Sequence, residues 1–181
     1  MQKITIVTSN PGKVRELQAM AMGKFDFVMH DLELAEIQSL DLEEIVVDKL
    51  KKAYKVIKAP VIVDDVSAGL DNLQGLPGPF IKYFNQLLGG DSLLTLANAE
   101  NEPVTITCMA AYFDGKEVLI GRGTIKGRVV HPRGQNGFGF DVVVVPNGET
   151  RTMAEMSEAE KMQVSHRGKA FRDLVKQLDL L

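Results

Sequence analysis

The apolar positions of the chain switch repeatedly between strand-like and helical spacing. Lys3 to Thr8 is a short β-branched run that reads as a buried first strand, and Gly12 to Met22 then sets Val14, Leu17 and Met20/Ala21 on one helical face. Phe25 to Met29 reads as a second strand. Asp41 to Ile57 carries the clearest helical pattern, with Leu42, Ile45, Val46, Leu50, Ala53 and Ile57 in register, and Asp41 with Glu44 matches a capping box. Pro60 to Val63 follows as a third strand, ending at Asp64-Asp65.

The second half changes character. A Gly/Pro-rich bend, Gly75 to Pro79, leads into a helix through Phe80, Phe84 and Leu87/Leu88. Val104 to Phe113 and Glu117 to Ile125 flank Asp114-Gly115, a two-residue hairpin signal. Phe138 to Val145 reads as another strand. Ser157 with Glu160 caps a short helix, and Ser165 caps a last one built on Phe171, Leu174, Val175 and Leu178. A hairpin inside a β-α-β pattern predicts a mixed sheet. The expected architecture is α/β, a long twisted mixed sheet flanked by helices, with residues 1–181 forming one domain free of repeats and linkers.

Composition narrows the function classes. The 181 residues are 45% hydrophobic and 25% charged, as in a folded protein. With 21 Lys+Arg against 24 Asp+Glu the net charge is −3, so there is no basic footprint for coating nucleic acid. A single cysteine, Cys108, excludes an intramolecular disulfide and a Cys-rich zinc site, and its apolar neighbours predict burial. The N-terminal apolar stretch is too short for a signal peptide, and no segment approaches the ~20 apolar residues that span a bilayer. A cytoplasmic protein with no membrane partner is expected.

Five polar constellations stand out against this background. Thr8-Ser9-Asn10-Pro11-Gly12-Lys13 joins the first strand to the first helix; it reads equally as a well-capped helix and as an anion site with Lys13 adding charge. Asp64-Asp65 is either a solvated strand end or a hard-oxygen pair suited to Mg²⁺. Lys82 follows the Gly/Pro bend, where it can meet a phosphate or simply be solvated. In Asn136-Gly137-Phe138-Gly139-Phe140-Asp141, glycines on both sides of Phe138 leave an aromatic face open for a planar base, although these residues taken alone favour a strand start with a buried Phe. Ser165-His166-Arg167-Gly168-Lys169 puts cations at a helix N-terminus, against the macrodipole, which calls for an anionic or carbonyl-bearing ligand. Of the three histidines only His166 has such a setting. Together these are the parts of a nucleotide site.

Those motifs, in this order over nearly the whole chain, resemble the inosine triphosphate pyrophosphatase family. The pieces are Thr8 to Lys13, Glu36-Ile37-Gln38, Asp64-Asp65, Gly75 to Lys82, Phe138 to Asp141, Ala154 to Lys161 and Ser165-His166-Arg167. The resemblance implies two lobes with an active-site cleft between them, commonly a homodimer, and Mg²⁺-dependent hydrolysis of non-canonical purine nucleoside triphosphates (ITP, dITP, XTP) to monophosphate and pyrophosphate. It implies that Thr8, Ser9, Asn10, Pro11, Gly12 and Lys13 hold the triphosphate, and that Glu36 and Asp65 bind Mg²⁺, with Asp65 also the proton acceptor. Lys49, Lys82 and Lys161 would neutralise phosphate or approach the substrate. Phe138 would stack on the base while Asp141, His166 and Arg167, with the Gly139-Phe140 backbone between, meet its edge. One departure is visible: many relatives follow the second acid with Ser or Thr and then Gly, whereas Asp65 here precedes Val66-Ser67-Ala68-Gly69. Two other functions use the same parts: a pyrophosphatase for modified pyrimidine or methylated-guanine triphosphates, and a non-catalytic nucleotide-binding module.

Overall fold

The computed structural model of the protein describes residues 2–180. The chain opens with a parallel crossover. Strand β1 (Gln2–Val7) leads through helix α1 (Pro11–Met20) to strand β2 (Phe25–His30), which lies parallel to β1 with Gln2 opposite Phe25 and Val7 opposite His30. Helix α2 (Leu42–Ile57) follows an extended segment and returns the chain to strand β3 (Val61–Leu70), also parallel to β1. After β4 (Pro77–Gly78) come helices α3 (Ile81–Leu88) and α4 (Ser92–Ala97), then strands β5 (Pro103–Phe113), β6 (Val118–Val129) and β7 (Val144–Pro146). Helices α5 (Glu158–Val164) and α6 (His166–Leu178) close the chain. The sheet has seven strands in the order β2-β1-β3-β5-β6-β7, with β4 paired to β3; parallel and antiparallel ladders coexist, as expected.

The described residues form two compact units. One comprises residues 2–65, 108–123 and 170–180; the other comprises 66–107 and 124–169. Each has its own core. In the first, the apolar stripe of α2 (Leu42, Val46, Leu50, Ala53) packs with Val7, Val61, Val63 and Ala111. In the second, Leu70, Ile81, Leu93, Val104, Ile106, Val129, Phe140, Val144 and Met153 pack together. Cys108 is fully buried.

Several elements differ from the sequence expectation for identifiable reasons. The third strand does not stop at Val63: β3 runs to Leu70, so Asp64 and Asp65 lie within it. Its parallel register with β1 covers Val61 and Ile62, and the strand continues because Ala68 and Gly69 pair antiparallel with Gly78 and Pro77. The acids therefore sit where one ladder hands over to another. Of the expected Phe138–Val145 strand only Val144 and Val145 are extended, in β7. Gly139 takes φ +56° and the Asp141 carboxylate accepts the Phe138 N–H, which coils 139–142 into a 3-10 turn before β7 begins. The hairpin loop spans four residues, since Asp114 Oδ1 accepts the N–H groups of Lys116 and Glu117. The Asp41–Glu44 capping box does not form either. Asp41 caps through Glu43 N–H, while Ser39 Oγ takes the Asp41 N–H and donates to Glu44. In α3 Ile81 is buried and Phe84 packs against the core of the second unit, while Leu87 and Leu88 face solvent.

Candidate active site

The first constellation lies within the first unit. Asn10 is both cap and loop brace: its side-chain oxygen accepts Gly12 N–H at 2.8 Å, its own N–H donates to Thr8 Oγ1, and Pro11 starts α1. Cap and anion readings are thus partly exclusive for the backbone. With the N–H groups of Asn10 and Gly12 engaged inside the loop and Pro11 lacking one, charge for an anion comes chiefly from the Lys13 side chain. Lys13 Nζ lies 2.7 Å from Asp64 Oδ1, whose side chain is 2% exposed. That carboxylate holds the ammonium over the start of α1.

Next to it, three charges converge. Lys49 Nζ lies 2.9 Å from Glu36 Oε1, 3.2 Å from Asp65 Oδ2 and 3.5 Å from the Asp64 carbonyl oxygen. The sequence explains how they meet. Lys49 stands four residues after Ile45 and three after Val46, so helical geometry aims it along the buried stripe of α2. Glu36 lies in an extended stretch where Leu32, Leu34 and Glu36, at period two, are the more buried positions, and Lys52 anchors its backbone by donating to Ala35 O. Burial works against the Lys49 charge, but the nearby Asp65, Glu36 and Asp64 carboxylates outweigh it and raise its pKa. The amine stays an ammonium.

The second constellation belongs to the other unit. Asp141, 5% exposed, accepts both the Phe138 N–H (3.0 Å) and the Lys161 ammonium (3.1 Å) on Oδ2. This fixes the turn that leaves Phe138 half exposed, with Lys161 Nζ 5.5 Å and Arg167 Cζ 5.0 Å from its ring centroid. Gly137, at φ +83°, is required here, since a Cβ would collide with the Asp141 carboxylate. His166 and Arg167 open α6, both buried, and the His166 ring tilts against Phe140 at 5.9 Å. Ser165 caps the helix through Gly168 N–H. Lys82, in the first turn of α3, is exposed.

Comparison with known proteins bears directly on this arrangement. The model of the Ham1 family matches residues 4–177. The chain belongs to the Ham1 family. It is 41% identical over 175 residues to the inosine triphosphate pyrophosphatase of Yarrowia lipolytica, covering 94% of this chain and 93% of that protein. It is 36% identical to the inosine triphosphate pyrophosphatase of Schizosaccharomyces pombe, covering 92% and 90%. The structure of a HAM1 protein from Coxiella burnetii superposes with a TM-score of 0.85 at 25% identity over 100% of both chains.

Within this Ham1 chain, the sequence-chosen residues therefore fall into two groups. Thr8 to Lys13, Glu36, Lys49 and Asp65 gather in the first unit, whereas Lys82, Phe138 to Asp141, Lys161, His166 and Arg167 lie in the second. The acidic pair of the sequence divides in the structure: Asp64 and Asp65 point to different lysines, as successive positions on a strand must. The Asn136 side chain donates to Met156 O and its N–H to Ala154 O, bracing the loop before Phe138. A buried-stripe lysine in an otherwise apolar helix face was the available signal for Lys49.

The donor set suits a hard divalent cation. Glu36 and Asp65 already direct one oxygen each at a single cation, the Lys49 ammonium, which shows that both carboxylates converge on one cation-sized point. No group of three or more His, Cys, Asp or Glu side chains among the described residues can hold a metal. Two carboxylates completed by water and phosphate oxygens is the pattern of Mg²⁺ sites, not of closed all-protein cages. No helix among the described residues is long and apolar enough to cross a membrane.

Proposed function

We propose that the protein hydrolyses non-canonical purine nucleoside triphosphates (ITP, dITP, XTP) to the monophosphate and pyrophosphate, with Mg²⁺ as the cation. The observation that carries this reading is the convergence of Glu36 and Asp65 on one cation position, beside the Lys13–Asp64 pair at the start of α1. Relatives named inosine triphosphate pyrophosphatase support it. When bound, Mg²⁺ supplies charge neutralisation of the phosphates and acidity to a bound water.

The chain's own residues divide the remaining work. Water is a weak nucleophile at neutral pH, and the Asp65 carboxylate is the general base that accepts its proton. Lys13 and Lys49 bind phosphate oxygens and stabilise charge on the leaving pyrophosphate, which is where phosphoryl transfer gains most from a protein; Lys82 adds a further ammonium. Phe138 stacks on the base. His166 and Arg167 offer donors to O6 of hypoxanthine or xanthine and face the amino group of adenine unfavourably, so ATP is rejected by unpaired polar groups. Asp141 acts one step back from the base edge, because its Oδ2 already serves the Phe138 N–H and Lys161. The reading includes a homodimer in the cytoplasm, which sedimentation and cell fractionation test.

Purified protein incubated with ITP, XTP, dITP, GTP and ATP in Mg²⁺, with product analysis, decides the matter. Monophosphate plus pyrophosphate from the first three is expected. Orthophosphate release, ATP turnover as fast as ITP, preference for modified pyrimidine or methylated-guanine triphosphates, or tight binding without turnover overturns it. Asp65→Asn is expected to lower kcat about 10²–10⁴-fold, the usual contribution of a positioned general base.

A further inference from the structure

We propose that Lys49 is a built-in counter-cation that keeps the Glu36–Asp65 pair closed to divalent metal until a polyphosphate draws its ammonium away. The inference rests on the nucleotide reading above and adds an order of events to it.

The geometry sets up a competition. Lys49 Nζ reaches both carboxylates, at 2.9 Å and 3.2 Å, and so occupies the position toward which a bridging cation would be drawn. A divalent ion bound there needs oxygens at about 2.0–2.1 Å for Mg²⁺, so each carboxylate oxygen must close in by about 1 Å on a point now held by the ammonium. Two cations cannot share that point. Placed side by side, they repel strongly in a region where Lys49, Glu36 and Asp65 are each only 17–20% exposed.

The ammonium is held by both carboxylates and the Asp64 carbonyl oxygen, at 2.9, 3.2 and 3.5 Å. It leaves only by swinging to another anion. Its four-carbon stem permits that movement, and the phosphates of a bound nucleotide supply the anion. Lys13 is no substitute, because Asp64 holds it 2.7 Å away on the other carboxylate of the pair. Metal and nucleotide therefore promote each other's binding: the nucleotide removes the competitor for the metal, and by linkage the metal strengthens nucleotide binding by the same factor. The nucleotide-free protein then binds Mg²⁺ weakly and does not commit Asp65 before substrate arrives.

The test uses Mn²⁺ as a spectroscopic probe, with free ion counted by electron paramagnetic resonance on nucleotide-free protein. Lys49→Met is expected to bind Mn²⁺ about tenfold or more tightly than the wild type, a coupling of ordinary size. Lys49→Arg, which keeps the charge, is expected to remain as weak as the wild type. Added Mn²⁺ should raise the melting temperature of Lys49→Met by more than it raises that of the wild type. Equal Mn²⁺ affinity in the wild type and Lys49→Met overturns the inference. So does tight Mn²⁺ binding by the nucleotide-free wild type, a result that needs no variant to fold. Failure of the nucleotide reading would show separately, as no hydrolysis across the substrate panel, and leaves these metal affinities measurable.

Discussion

Phe138 illustrates how a single side chain becomes functional through its neighbours. Its ring is half exposed, yet it is tethered at the backbone by Asp141 and bordered by two cations. A large exposed aromatic held that firmly contributes little to the core, so its removal should spare the fold. Phe138→Ala is expected to raise KM for ITP about tenfold, from the ~1–3 kcal/mol a base–aromatic stack provides. The melting temperature should stay nearly unchanged, and steady-state kinetics beside a thermal melt read both. The sequence revealed the open ring through Gly137 and Gly139. It did not reveal that Asp141 builds the turn, because that role depends on Lys161, twenty residues away in the chain. Lys49 and Glu36 pose the same difficulty: the sequence points to each only through the family resemblance, and their meeting depends on how α2 docks.

At the scale of elements, the junction of α5 and α6 carries Lys161, His166 and Arg167, and two local devices hold it. The first is close approach. Gly168 lies in the first turn of α6, where a Cβ would overlap the Met162 carbonyl oxygen at the end of α5. Gly168→Ala is therefore expected to destabilise the protein by about 2 kcal/mol or more, read by urea denaturation, despite alanine's better helix propensity. The second device is the capping box, which the sequence did show: Ser157 Oγ accepts Glu160 N–H, and the Glu160 carboxylate accepts both the N–H and the hydroxyl of Ser157. The Ser157 N–H is the largest cause, followed by its hydroxyl and Arg151, of a Glu160 pKa lowered to about 2. A depressed carboxylate stabilises the fold above its ordinary pKa of 4.5, and that contribution disappears as pH falls from 4.5 towards 2. The stability difference between the wild type and Glu160→Ala should accordingly be constant above about pH 5 and shrink on acidification, measured as urea midpoints across that range.

For the whole molecule, the decisive feature is that each compact unit holds an apolar packing group of its own, built from interleaved stretches of chain. Leu50 belongs to one and Leu93 to the other, both fully buried, and the two packing groups share no residue. Leu50→Ala and Leu93→Ala should each lose about 2–5 kcal/mol, the usual range for truncating a core leucine. The double variant should lose their sum to within about 0.5 kcal/mol, as expected of sites without common partners. A large shortfall or excess in denaturant midpoints would show the cores to be coupled.

The chain by itself determined the α/β alternation, the mixed sheet and the caps at Asn10, Ser157 and Ser165. These follow from local periodicity and from side-chain oxygens reaching backbone N–H groups two or three residues on, which any short window of sequence displays. It also showed which polar residues were out of place in their patterns. Only the tertiary structure decided that Asp64 pairs with Lys13 while Asp65 and Glu36 share Lys49, that β3 runs on through both acids, and that Phe138 heads a tight turn and not a strand. Each of those outcomes depends on a partner brought near by folding: the lysines for the acids, β4 for β3, and for the turn a buried carboxylate held by Lys161. Local propensity is written in neighbouring residues, whereas charge pairing and strand extension are settled by whatever the fold places opposite them.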